Sequence, residues 1–368
     1  MKLTNVVNRI NGNVDRFTTE LEYYVGGEHF DSEALSITRK GLIKPNLNIL
    51  GFKFHFAFQK GDVLFMARNP HLRKAGMVMF SGLCSDASYI LRTKNESILS
   101  QHYLAVLLQT DHFWDYCESH KVGSVNFAIN WTTLANYEFE LPPISQQRVL
   151  ADKLWAAYNL KEAYKKMNSA IDEMVKSQFI EMFGNPVANN RNWPTLPIAK
   201  VAPEKSSKNR QSGKVWILNL DMIESDTGKV INKIYDNDTN LVSVAPFDEG
   251  NILFSKLRPY LNKVVIPNDK GYATTELVPL RPDISKLNLI FLSNLLRSDS
   301  FVNYANSISS GTKMPRMPLT DLRKFECILP PITMQKEFAA IVEQADKSKF
   351  ELKQAIDKIE KVMKSLLQ

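Results

Sequence analysis

The strongest constraint on this 368-residue chain is a phrase that it uses twice. Leu-Pro-Pro-Ile-Ser-Gln-Gln at 141–147 returns as Leu-Pro-Pro-Ile-Thr-Met-Gln at 329–335, and each copy opens a long stretch without Gly or Pro. Paired prolines block a helix upstream, and Ser145 and Thr333 are the expected N-caps of the helices that follow. The first helix is expected to stop at Gly184-Asn185-Pro186. Nearly forty residues rising 1.5 Å each make a rod of about 60 Å, which suits a spacer better than a buried core helix. Identities continue into the rods at Gln147/Gln335, Ala157/Ala345, Lys165/Lys353 and Ile171/Ile359. One recurrence at so long a period describes two halves rather than a solenoid.

Apolar steps of three and four define a seam on each rod. In the first it passes through Ala157, Leu160, Tyr164, Met167, Ile171 and Met174; in the second through Ala345, Leu352, Ala355, Ile359 and Val362, with Ser348 between. Two seams matched within one chain predict an antiparallel coiled-coil pair and pseudo-twofold symmetry. The expected segments are a globular domain over 1–140, a spacer helix over 141–183, a second domain over 184–328 and a C-terminal spacer helix over 329–368.

The globular parts are duplicated as well. Phe-Gln-Lys-Gly-Asp-Val-Leu-Phe at 58–65 matches Phe-Asp-Glu-Gly-Asn-Ile-Leu-Phe at 247–254, and both continue to a Pro-x-Leu-x-Lys at 70–74 and 259–263. The segments 107–116 and 295–304, and 122–144 and 310–332, also correspond. Short alternating strands with one or two helices indicate an α+β fold for each domain. Phe52, Phe54, Phe56 and Phe58 alternate with Lys53, His55 and Ala57, the period of a half-buried strand whose aromatics face the core.

Net charge is +7, with hydrophobic content of 44% and charged content of 23%. Residues 1–140 carry fourteen basic and fourteen acidic side chains, whereas 184–328 carry nineteen and fourteen, so the excess lies mainly in the second domain. That balance permits nucleic-acid binding without requiring it. Three scattered cysteines, Cys84, Cys117 and Cys327, suggest reduced thiols in a cytosol. The opening residues 1–13 lack the apolar core of a signal peptide, and no apolar run reaches membrane-spanning length.

Catalytic patterns are weak. Asp226-Thr227-Gly228-Lys229 lacks the first Gly and the Ser/Thr of a phosphate loop. The two Leu-Pro-Pro-Ile sequences lack the polar first and aromatic last residues of a methyltransferase (D/N)PP(Y/F) loop. Glu351–Lys353 falls on a rod rather than beside an acidic partner on a strand. His112, Cys117 and His120 do not have zinc-ligand spacing. The expectation is a chain without catalytic residues, bound metal or cofactor of its own.

Basic residues on turns carry the functional signal. Arg68, His71, Arg73 and Lys74 follow one strand, and Lys256, Arg258 and Lys263 follow its counterpart. Lys313 and Arg316 sit in Gly-Thr-Lys-Met-Pro-Arg; Lys208 and Arg210, with Lys205 and Lys214, crowd a Ser/Asn-rich loop. Lys and Arg on loops suit phosphate contacts, and Arg also reads base edges with two bonds. The candidate DNA contacts are therefore Arg68, Arg73, Lys74, Lys208, Arg210, Lys256, Arg258, Lys263, Lys313 and Arg316.

Two variable domains, each closed by Leu-Pro-Pro-Ile-x-x-Gln and a long helix, resemble the specificity subunit of type I restriction-modification systems. Residues 174–186, 250–263 and 310–317 resemble recurring pieces of that family's spacer and target-recognition domains. The resemblance implies that each domain reads one half of a split, asymmetric site in double-stranded DNA, with the antiparallel helices setting the spacing. It implies DNA adenine methyltransferase subunits, two per chain, docked on the helices, and restriction subunits joining them. S-adenosylmethionine, ATP and Mg would then belong to those partners, and the complex to the cytoplasm. Two departures stand out: residues 124–130 (Ser-Val-Asn-Phe-Ala-Ile-Asn) replace the Lys/Arg-bearing turn of the second domain, and the first domain lacks the Trp193-Pro194 lead-in. The alternative from another class is a coiled-coil scaffold that gathers proteins without reading DNA.

Overall fold

The computed structural model describes residues 1–46, 50–208, 212–237 and 243–367. The chain divides into two compact units, Met1–Lys166 with Lys353–Gln368, and Met167–Leu352. The long helices run Ile144–Phe183 and Ile332–Leu367. Ser145 and Thr333 therefore lie inside the first turn and are not the caps that the sequence suggested. The second proline of each motif takes that place: Pro143 O accepts from the amides of Gln146 (2.9 Å) and Gln147 (3.1 Å), and Pro331 O from Gln335 (3.2 Å). Proline gives up nothing here, because a helix start leaves its N–H groups unbonded in any case.

The recurring glutamine explains why the phrase is repeated. Gln147 and Gln335 are fully buried. Gln147 donates from Nε2 to Ile98 O and Pro142 O (both 2.8 Å) and accepts at Oε1 from the amide of Ser100 (3.1 Å). Gln335 does the same with Lys286 O (3.0 Å), Pro330 O (2.8 Å) and the amide of Asn288 (2.8 Å). Ser100 and Asn288 cap the helices Gln101–Leu107 and Leu289–Arg297. One amide side chain thus locks the start of each long helix to the start of a domain helix, with every partner satisfied.

Within the first unit the helix segments pack antiparallel. Lys161 Nζ meets Glu360 at 3.6 Å, while Leu366 lies beside Val149 and Leu150. Ala151, Leu154, Tyr158 and Met363 are buried there, with Ile359 packed against them. Within the second unit Lys349 Nζ bridges Asp172 (2.7 Å) and Asp346 (3.0 Å). Phe338 meets Phe179 and Phe183 with ring centroids 5.4 and 5.6 Å apart, beside buried Val175, Val342 and Ala345. These pairs also run in opposite directions.

The seam falls partly one residue later than the apolar count suggested. Ala157, Tyr164, Ile171, Ala345, Leu352, Ala355 and Ile359 are buried or half-buried. Leu160, Met167, Met174 and Val362 are 44–55% exposed. Their places inside are taken by Lys161, Asn168, Val175 and Met363. Lys161 keeps its side chain only 12% exposed by burying its stem and directing its charge to Glu360.

The globular part of each unit contains the same four-stranded sheet. In the first, Gly41–Leu42, Tyr23–Val25, Gly82–Ser85 and Phe54–Phe58 lie in that order; in the second, Ile234–Asn237, Lys214–Leu218, Gly271–Thr274 and Val244–Phe247. Both sheets are joined antiparallel, parallel, antiparallel. In the phenylalanine run only Phe58 is buried, Phe54 and Phe56 are half-buried, and Phe52 precedes the strand at 77% exposure. A second sheet carries the duplicated Gly-x-x-Leu-Phe strand. In the first unit it has five strands, with Val63–Met66 flanked by Ser88–Thr93 and Ala75–Val78; in the second it has three, with Ile252–Ser255 between Val264–Val265 and Leu277–Leu280.

An ion pair at the start of this strand is shared but rewired. In the first unit Arg92 donates twice to Asp62, whose carboxylate is 1% exposed (2.7 and 3.0 Å). In the second, the corresponding Arg281 pairs with Asp248 at 2.8 Å, and Asn251 stands at the buried position. The carboxylate has moved three residues along the turn while the arginine has stayed.

Candidate nucleic-acid interface

The basic turns are built on one backbone device present in both units. In the second unit the strand Ile252–Ser255 leads through Lys256, Leu257 and Arg258 into a single turn of 3-10 helix, Pro259–Leu261. Arg258 (φ 49°, ψ 64°) and Asn262 (φ 49°, ψ 52°) bracket that turn in the left-handed region. In the first unit Asn69 (φ 53°, ψ 60°) and Arg73 (φ 48°, ψ 50°) bracket Pro70–Leu72. Non-glycine residues rarely adopt such angles, so packing on both sides must hold them there.

A hairpin supplies that hold. The Arg258 amide donates to Pro315 O (2.7 Å), the Met317 amide to Lys256 O (2.9 Å), and Ser310 and Arg316 exchange amide bonds of 3.0 and 2.9 Å. In the first unit the Asn69 amide donates to Phe127 O (2.8 Å), Ile129 to Ala67 O (2.9 Å), and Val122 and Ala128 exchange bonds of 2.8 and 2.9 Å. The hairpin tips turn at Gly311 (φ 103°) and Gly123 (φ 106°). At Gly123 a Cβ would lie 2.7 Å from Asn126 O, so only glycine closes this turn without displacing backbone.

The expected cations divide by what already holds them. Lys74 Nζ donates to Gly27 O and Lys263 Nζ to Leu220 O, both at 2.7 Å. These two matched lysines pin the turn to a neighbouring 3-10 segment. Arg73 is bonded to Asp111 (2.6 Å) and Glu33 (3.0 Å); burial works against its charge, but the two carboxylates outweigh it and raise its pKa. Arg316 forms a forked pair with Glu276, which raises its pKa, although both side chains remain partly exposed.

Lys256, Arg258 and Lys313 are the less committed group. Arg258 Nη2 reaches Lys313 O at 3.5 Å, which brings the turn and the hairpin tip together, while its buried Nε has no partner among the described residues. Among the described residues neither Lys256 nor Lys313 has a carboxylate partner, and Lys313 is exposed beside Met314 (45%). Arg68 and Lys208 are exposed and likewise have no carboxylate partner among the described residues. Arg210 lies outside the described residues. The structure thus brings Lys256, Arg258, Lys313 and Arg316 onto one turn-and-hairpin platform, and Arg68 onto its counterpart.

Residue spacing gave no sign of the pegs behind the platform. Arg297 sends Nη1 to Thr227 O (2.5 Å), and its carbonyl accepts from Asn262 Nδ2 (3.0 Å). Burial pushes its guanidinium below the ordinary arginine value, opposed by nearby Asp346 and Asp172. At the matching place in the first unit Gln109 donates to Ala34 O (3.1 Å) and Ala75 O (2.7 Å). The duplicated segments 107–116 and 295–304 carried the only available signal. Among the described residues there is no cluster of three or more His, Cys, Asp or Glu side chains arranged to hold a metal. Among them, too, no helix is long and apolar enough to cross a membrane.

Comparison with known proteins gives this duplicated platform a family. The model of the type I restriction modification DNA specificity domain matches twice, over residues 4–173 and 197–361. The chain belongs to that family. It is 29% identical over 187 residues to the type I restriction enzyme EcoDI specificity subunit of Escherichia coli, a match covering 49% of this chain and 41% of that protein. The matched region is thus less than half of that relative's length. A type I restriction-modification S subunit from M. genitalium has the same fold at a TM-score of 0.60 and 12% identity, covering all of this chain and 94% of that one. A chain from a study of assembly and conformational transition in a type I restriction-modification system gives 0.57 at 17% identity, covering 100% and 95%. At such identities these likenesses establish the fold, which in this specificity-domain chain is α+β with two long helices.

Proposed function

We propose that this chain is the non-catalytic DNA-reading subunit of a type I restriction-modification complex. Each domain reads one half of a bipartite, asymmetric duplex site, and the long helices set the distance between the halves. The observation that carries this reading is the turn-and-hairpin platform, built twice and presenting Lys256, Arg258 and Lys313 in the second unit without carboxylate partners among the described residues. Lysines and arginines presented on fixed turns suit phosphate and base-edge contacts. Arg316 joins them once duplex phosphates compete with Glu276. Arg68 and Lys208 are the remaining exposed candidates. Lys74 and Lys263 contribute by holding the turns, and Arg73 through its paired charge.

Methyltransferase subunits dock on the helices, two per chain, and restriction subunits join that complex. The outward apolar side chains support such docking: Leu160 in the first unit, Met167 and Met174 in the second. Methylation of adenine and cleavage belong to those partners, with S-adenosylmethionine, ATP and Mg bound there, and the complex works in the cytoplasm.

The test is a map of N6-methyladenine in DNA from cells carrying the chain with and without its methyltransferase partner. One bipartite motif, modified only when both are present, is the expected result. A stable complex that modifies no motif would replace this reading with that of a scaffold.

A further inference from the structure

The two platforms are alike in backbone and differ in chemistry at their tips, where the first carries neutral side chains in place of a cation. At the tip of the second hairpin stand Lys313 and Met314; the same two places in the first are Val125 and Asn126. Val125 is 84% exposed, more than any other large apolar side chain described. Asn126 is exposed too, and among the described residues its side-chain amide has no hydrogen-bond partner. A valine presented so fully is anomalous for a tip that only closes a turn. The hairpin beneath it is fixed by the same bonds as the cationic one, so its tip is aimed and not free to collapse.

The arginine has also crossed over. Leu257 faces Arg316 in one bridge, and Arg68 faces Ala128 in the other, so each bridge carries one arginine on opposite strands. Arg316 is held by Glu276, whereas the residue matching Glu276 in the first unit is Ala87. Arg68 consequently has an exposed guanidinium with no carboxylate among the described residues to neutralise it.

We propose that Val125 and Asn126 are specificity-determining residues of the first domain, with Arg68 as their phosphate anchor. This rests on the DNA-reading function proposed above and assigns the chemistry of one half-site. An asparagine amide donates to adenine N7 and accepts from the adenine N6 amino group, and a valine packs on the thymine methyl. The first domain therefore reads an A·T-containing step with neutral groups, and Arg68 supplies the salt-dependent contact beside it. The second domain presents Lys313 at the same place.

The test uses the full chain with its methyltransferase partner and the same methylation map. Asn126→Ala should weaken discrimination at one position of one half-site by on the order of ten- to a hundred-fold. Asn126→Asp cannot donate to N7 but accepts from a cytosine amino group, so the preference at that position should move from adenine to cytosine. Val125→Ala should relax a neighbouring position. Lys256→Glu with Arg258→Glu serves as the control that disturbs the other half-site. In binding to the wild-type site, Arg68→Ala should lower the salt slope by about 0.9, and Asn126→Ala should leave it unchanged. Both tip residues are exposed, so unchanged melting curves are expected and exclude misfolding. If both half-sites keep their sequence in all three tip variants, or if the half-site lost is the one the control disturbs, the assignment is overturned. A wild-type complex with no bipartite motif would instead overturn the DNA-reading function beneath it.

Discussion

Exchanging one atom group in Gln335 tests how the helix start is locked. Its Nε2 donates to Lys286 O and Pro330 O, and its Oε1 accepts from the Asn288 amide, while the Gln335 side chain itself has no exposed surface. Alanine at this position leaves the buried Pro330 carbonyl and the half-buried Lys286 carbonyl and Asn288 N–H short of a partner. At about 1–3 kcal/mol for the buried orphan, and less for the two that water can reach, the loss should be about 2–4 kcal/mol. Gln335→Glu keeps the shape but sets an oxygen against two carbonyl oxygens, so the buried carboxyl must take up a proton and its folded pKa rises above the ordinary value of about 4.3. Below that value both folded and unfolded chains are protonated, and the deficit is one missing hydrogen bond, about 1 kcal/mol. Above it the unfolded chain ionises first, so the variant loses about 1.4 kcal/mol per pH unit relative to wild type until the folded pKa is reached. Urea unfolding of both chains between pH 4 and 8, with hydrogen exchange at the Asn288 amide, reads this directly. Gln147→Glu should behave alike in the other unit. An Ala variant within 1 kcal/mol of wild type, or a Glu variant whose deficit ignores pH, would refute the argument.

Three further outcomes follow from the geometry. Arg92→Ala strands the nearly inaccessible carboxylate of Asp62 and should cost about 3 kcal/mol in urea unfolding. Arg281→Ala should cost less, because Asp248 is partly exposed; equal losses would contradict the difference in burial. The Arg281 hydrogen bond is the main cause that holds the Asp248 pKa below its ordinary value, so its stabilisation is present above that value and lost as pH falls through the folded pKa. Arg281→Ala should flatten that acid limb. Burial pushes the thiols of Cys84 and Cys327 up to about 12 and that of Cys117 higher still, so a thiol reagent at pH 8 should find none of the three until the chain is unfolded. Rapid labelling of the native protein would contradict that burial. On the helices, Ile171→Asp should cost about 2–3 kcal/mol and Val362→Asp less than about 0.5 kcal/mol, because only the first side chain packs in the seam. Similar melting curves for the two would mean that the seam is misassigned.

Much of the fold was legible in the sequence because the repeated phrase marks a constraint that recurs. Two prolines, a glutamine four residues further on and a run without helix breakers leave few alternatives, and the long helices follow. The seam was legible only in part. Apolar spacing selects Leu160, Met167 and Met174, but at the neighbouring positions Lys161 and Asn168 enter the seam, and polar side chains are invisible to an apolar count. The basic turns show the opposite difficulty. Matched spacing of Lys74 and Lys263 does report a shared constraint, but each lysine is tied to a carbonyl, and sequence cannot distinguish a peg from a contact. At the bridge, Arg68 and Arg316 do not align with each other, so residue matching hides that the two platforms share a cation.

The rewired ion pair determines where such domains can be cut and rejoined. A chimera that takes the first domain up to Lys60 and the second from Gly250 would hold Gln59, Asn251 and Arg281, an arginine with no acid to answer it. The reciprocal chimera would set Asp248 and Asp62 before the single guanidinium of Arg92. Neither hybrid turn is neutral, although every residue in it is native to one parent. Exchange within the turn, between 59 and 62 or 248 and 251, is therefore penalised, while a crossover beyond it or in the long helices, where both copies share a glutamine lock and an aligned seam, leaves one acid for each arginine. Electrostatics makes that short turn a single unit, to be inherited whole from one parent or the other.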